Sequence, residues 1–295
     1  MKERLKILIA YDGSACSDAA LNDLQRAGLP ASAEAVVVTV AYVFLPPPEG
    51  EVPDDELVSP GAAAMVRPKQ KHAGEAVRQA RAVAERAAQR VKADFPGWSV
   101  RAEADGDVPA WAVIKMARSL ERDLVVVGSH GHSSAGGRLI LGSVSQRVLY
   151  EAGCSVRVAR CADARREGPV RIVVGFDGSP GSEAAVAAVA ARAWPEGSEA
   201  RLVNAGAALK PAAQSHAAEQ LRAAGLSLSE AERPGDPAHV LIAEAEEWGA
   251  DSIFVGTRDV HGFRHLLHGS VSSAVAARAQ CSVEVVRPPQ GARPE

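Results

Sequence analysis

Aromatic residues make up only 4% of the 295 positions, and that scarcity removes the stacking surface on which single-stranded nucleic acid is usually held. No basic tail or stripe is present and the formal net charge is −3, so duplex DNA is not an expected partner either. No apolar run approaches the roughly 18 residues of a membrane span. The opening MKERLKILIAYDGS holds too short an apolar core for a signal peptide. Cysteine is limited to Cys16, Cys154, Cys161 and Cys281, without CxxC spacing or the density of a disulfide framework. Together these absences predict a cytoplasmic protein with no membrane and no nucleic-acid partner.

The apolar share is nevertheless 47%, much of it alanine, and the length suits two domains that each bury a core. An internal repeat supports that division. ILIAYDGSACSDAAL, from Ile7, returns as IVVGFDGSPGSEAAV, from Ile172, which aligns Asp12 with Asp177 at an offset of 165. LGSVSQRVLYEAGCSVRVAR returns as HGSVSSAVAARAQCSVEVVR, which aligns Gly142 with Gly269 at an offset of 127. The second copy is therefore shorter in its middle. The extra residues of the first copy fall in a Pro/Gly/acid-rich excursion, Phe44 to Pro68, followed by a predicted Ala/Arg helix from Lys69 to Ala93. We assign residues 1–160 and 170–288 to two domains and the polar CADARREGP, 161–169, to a linker.

Runs such as AVVVTVAYV and DLVVVG are nearly continuous in Val and Leu, as expected of parallel strands covered on both faces. Strands are predicted at Lys6–Tyr11, Ala35–Val43, Ser99–Ala104, Leu124–Gly128 and Cys154–Arg160, alternating with helices, and the second copy repeats the order. The fold class is thus α/β, with two tandem doubly wound domains of mainly parallel five-stranded sheets. The linker is too short to let them separate, and they are expected to pack as an internal pseudo-dimer.

Chemistry concentrates where strands end. Asp12 and Asp177 each close a first strand, where a carboxylate can accept from a ribose or a base, or can initiate the following helix through an Asx turn. GSHGHSSAGGRLILGSVS, Gly128 to Ser145, places glycines and hydroxyls between a strand and a helix start, where bare N–H groups and the helix dipole favour phosphate. It is neither a Walker loop nor a GxGxxG fingerprint. Histidines at 130, 132, 261, 265 and 268 lack the partners of a metal shell, so no metal ligands are assigned. No catalytic residue is assigned, for no GxSxG elbow or placeable His/Asp pair is present. Cys154 and Cys281 are repeat-equivalent and read as buried packing groups.

The Asp after the first strand, the Gly-x-x-Gly after the fourth and the Gly-Ser opening the last helix resemble the universal stress protein family, and the resemblance covers both copies. One branch of that family binds ATP through Gly, two residues, Gly, nine residues, Gly-Ser/Thr. The resemblance implies Asp12 and the main chain of Val40 around the adenosine, and Val127 and Gly128 near the ribose. It implies Gly131, Gly142, Ser143, Val144 and Ser145 around the phosphates, with ATP as cofactor and Mg as the candidate accompanying ion. Ten residues rather than nine separate Gly131 from Gly142, and a bulge in SSAGG would absorb the extra one. In the second copy Asp259 stands where the second glycine belongs and brings like charge toward a phosphate. Charge agrees, with 20 basic and 19 acidic residues up to Arg160 against 13 and 17 beyond it.

The expected function is an ATP-binding stress or signalling protein whose site lies mainly in the first domain. It would be at most a slow ATPase, with a protein partner and a further homodimer as candidate associations. The alternative is an interaction scaffold without nucleotide. The resemblance also implies that Ser155–Arg160 and Ser282–Arg287 pair across the pseudo-twofold axis.

Overall fold

The computed structural model describes residues 4–43, 60–131, 141–160, 168–206, 210–257 and 271–288. The first half runs β1 (Leu5–Ala10), α1 (Ala15–Asp23), β2 (Ala33–Ala41), α2 (Pro60–Asp94), β3 (Ser99–Gly106), α3 (Pro109–Ser119), β4 (Leu124–Gly128), α4 (Ser143–Glu151) and β5 (Ser155–Ala159). The second runs β6 (Arg171–Gly175), α5 (Pro180–Ala190), β7 (Glu199–Asn204), α6 (Pro211–Ala223), β8 (Ser227–Glu232), α7 (Pro237–Trp248), β9 (Ser252–Gly256), α8 (Val271–Arg278) and β10 (Ser282–Val286).

The strands form one ten-stranded sheet in the order β3-β2-β1-β4-β5-β10-β9-β6-β7-β8. Each half is parallel throughout, and the halves join through β5 and β10, which pair antiparallel with Arg157 opposite Glu284. The pairing expected across the pseudo-twofold axis is present. It hides two sheet edges that separate domains would expose.

Side-chain alternation divides the core. Leu8, Val36, Val125, Val156, Val173, Val255 and Val283 belong to one cluster that runs across both halves beneath α3, α4, α7 and α8. Ile7, Ile9, Val37 and Val126 face the other way, into a core of the first half alone, while Ile172, Val174, Leu202 and Phe254 form its counterpart in the second.

The gap between those two cores is polar. Arg157, fully buried, donates to Asp23 at 2.5 and 3.0 Å and to Glu284 at 3.4 Å. Arg192 donates to Glu284 as well and lies over Phe254. These carboxylates hold the Arg157 proton more tightly than usual despite burial.

One expectation shifts. The helix of the first half begins at Pro60, so the last part of the supposed Phe44–Pro68 excursion is helical. Pro at the first helical position is compatible with that start, its missing N–H being one the helix would not bond anyway. The rest of the excursion lies outside the described residues. Part of the basic face of α2 is committed: Arg90 pairs with Asp18 at 2.9 Å and also donates to Asn22. Among the described residues no helix is long and apolar enough to cross a membrane.

Candidate functional site

In each half the strand order reverses beside the first strand, between β1 and β4 and between β6 and β9. Crevices at such reversals, beyond the carboxyl ends of the strands, are where open α/β sheets bind ligands. Asp12 follows β1 and Asp177 follows β6. Each accepts the N–H of the serine two residues on, Ser14 at 2.9 Å and Ser179 at 3.1 Å. The glycines between, Gly13 and Gly178, have φ of 79° and 73°, a region that strains other residues. Ser14 and Ser179 then cap α1 and α5 by accepting from Ser17 and Ser182. The Asx turn is therefore real in both copies.

The remaining Asp12 oxygen turns to the glycine loop. A Cβ on Gly131 would lie 2.6 Å from Asp12 Oδ2, so the carboxylate occupies the space that glycine leaves. Gly142 comes back to the same place, its N–H bonding Ser129 O at 2.8 Å and its open side facing His130 and Gly131. Asp12 thus adjoins two motif glycines that lie more than a hundred residues further along the chain. Gly142 also precedes α4 as its N-cap, and among the described residues no side chain caps that terminus. The N–H groups of Ser143, Val144 and Ser145 lie at the positive end of the helix, and no side-chain oxygen among the described residues caps them.

Other predicted positions sort by what they can still offer. Val127 is closed into the core, so only its main chain is available. Gly128 is glycine for packing: a Cβ there would lie 2.8 Å from Cys16 O. The second copy repeats the approach, with Gly256 against the main chain of Gly181. Ser145 is buried and donates to Gly128 O at 2.6 Å, which fixes the start of α4 to the end of β4. Ser143 is exposed and Val144 half-buried. Val40 lies near the carboxyl end of β2, opposite Asp105 of β3 and packed on the shared core. It approaches from one strand beyond Asp12.

Burial tunes the neighbours. Tyr11, beside Asp12, is pushed up to about 12 by burial and by its hydrogen bond to Asp18. Burial raises the free thiols of Cys154 and Cys281 to about 11 and about 12. Both pack against the core, as their repeat positions suggested. Cys16 is disulfide-bonded, which the cysteine spacing did not foretell. The SSAGG bulge, Asp259, Gly269 and all of the singled-out histidines except His130 lie outside the described residues. Sequence patterns missed the buried Arg157, since a lone arginine in VRVAR carries no signal of what faces it.

The universal stress protein family model matches residues 3–160 and again 170–287. A universal stress protein of Mycolicibacterium smegmatis is 30% identical, with 96% of this chain and 97% of that one aligned. Universal stress protein Rv2005c of Mycobacterium tuberculosis is 32% identical over 64% of this chain and 69% of its own. The crystal structure of a universal stress protein from Archaeoglobus fulgidus DSM 4304 shares the fold, with a TM-score of 0.68 at 22% identity over 96% of this chain and 98% of that one. The chain belongs to the universal stress protein family and carries two of its domains in tandem.

Proposed function

We propose that this tandem member of the universal stress protein family binds ATP in its first domain and presents nucleotide occupancy to a partner protein. The observation that supports this most is the meeting of Asp12, Gly131 and Gly142 at the β1/β4 reversal, directly before the N-terminus of α4, which no side chain among the described residues caps. The arrangement fits a nucleotide. Asp12 and the main chain of Val40 would hold the adenosine, and the main chain of Val127 and Gly128 would border the ribose. Gly131, Gly142, Ser143, Val144 and Ser145 would receive the phosphates, whose charge suits the helix dipole. Mg would arrive with the triphosphate as its counter-ion. In the second domain Asp259 replaces the glycine and adds negative charge, so one nucleotide per chain is expected. The module is one of binding and signalling, with hydrolysis at most slow.

The test is to purify the full chain natively, denature it, and identify any nucleotide released, with Gly142→Val alongside. An adenine nucleotide from wild type that is lost from the variant is the expected result. No nucleotide, together with no ATP titration signal, would favour the scaffold instead.

A further inference from the structure

A second built feature lies away from the nucleotide crevice, where the two halves meet. A cleft of about 600 Å³ opens between the end of α1 and the connections that surround β9 and β10. Its walls are partly apolar, with Ala19, Ile242 and Ala250 among them, and its volume is in the range of small-molecule sites. Arg160, at the end of β5, lines it and is only 7% exposed.

The guanidinium of Arg160 is under-satisfied. Nη2 donates to Ala276 O at 2.5 Å, but Nε and Nη1 are buried with no acceptor. Two of the three acids that line the cleft are engaged elsewhere: Asp23 takes both bonds from Arg157 and one from Ser282, and Asp251 takes Arg26 at 2.8 Å and the Arg171 N–H, while the third, Glu246, is exposed. Cys281 cannot serve as a thiolate, because burial holds its thiol protonated. Burial correspondingly weakens the hold of Arg160 on its proton, with no carboxylate to offset it. A buried, uncompensated guanidinium is costly, and natural proteins keep few of them.

We infer that this interdomain cleft is a binding site for a small, singly charged organic carboxylate, with Arg160 as its counter-ion. The planar guanidinium matches a carboxylate, and the alanine and isoleucine walls suit a short apolar tail. A phosphate dianion fits less well, since Asp23, Asp251 and Glu246 also border the cleft. The site shares no residue with the proposed nucleotide crevice, so either can fail without the other.

Sodium butyrate is the probe, titrated into the full chain at constant ionic strength while the melting temperature is followed, with inorganic phosphate as a parallel series. Wild type should show a saturable rise with butyrate and a smaller one with phosphate. Arg160→Met should lose that rise while melting no lower than wild type before butyrate is added, since a costly buried charge has gone. Ile242→Glu supplies an internal carboxylate at the half-buried wall and leaves Arg160 in place. It should weaken butyrate by about tenfold or more, the scale of one charge-assisted hydrogen bond. No saturable rise in wild type, an undiminished rise in Ile242→Glu, or a phosphate effect equal to that of butyrate would overturn the inference.

Discussion

Gly128 and Gly142 belong to one motif yet are glycine for different reasons, and substitution should separate them. A Cβ at Gly128 would meet Cys16 O at 2.8 Å, in a place where α1 rests on β4. Gly128→Ala should therefore lower stability by about 1–3 kcal/mol, the usual cost of overpacking, measured by denaturant melts. At Gly142 the backbone is ordinary, φ −62° and ψ 154°, and among the described residues a Cβ would approach nothing closer than 3.4 Å. Gly142→Val should fold with a melting temperature near wild type and lose nucleotide, because the added methyls occupy the space the phosphates need. Position 142 thus reports on the ligand, and position 128 on the fold. The sequence grouped the two by spacing alone, and only the contact of Gly128 with α1 distinguishes them.

At the scale of elements, α1 and α4 start in opposite ways. Ser14 caps α1 with a 3.2 Å bond from the Ser17 N–H, whereas α4 begins at Gly142, and among the described residues no side chain caps its N–H groups. Ser14→Ala should cost about 1 kcal/mol of stability, the usual worth of such a cap, and leave ATP affinity within about twofold. A large loss of affinity without destabilisation would instead place Ser14 in the site. Strands and most helices were legible because nearly continuous Val/Ile/Leu runs alternate with Ala-rich periodic stretches. The Pro60 start of α2 was not, since Pro and Gly at 60 and 61 read as loop while Pro at a first helical position is as much a helix start.

For the whole molecule, the joint between β5 and β10 makes the two domains one sheet, and the buried Arg157 cluster ties α1 to both strands. Removing Arg157 strands Asp23 and part of Glu284, so Arg157→Leu should destabilise by about 3 kcal/mol or more. The loss should appear in one cooperative melt rather than in the first half alone. Alkali should act in the same cooperative way. Above about pH 9 thiols ionise in the unfolded chain, while native Cys154 and Cys281 keep their protons to about 11 and about 12. The folded state then binds more protons than the unfolded one, and stability should fall as pH rises through that window. Cys154→Ala combined with Cys281→Ala should flatten the slope in denaturant melts across that range. The repeat was readable in the sequence because the two copies carry the same strand, and the pairing of those strands came from the resemblance to the family. The cleft at Arg160 was not, because it depends on which acids the other arginines engage. A single nucleotide site, in the first domain, is best tested by calorimetric titration of ATP into nucleotide-free full-length chain. A stoichiometry near one that vanishes in Gly142→Val is expected. A stoichiometry near two, or binding that survives Gly142→Val and disappears in Gly269→Val, would contradict it.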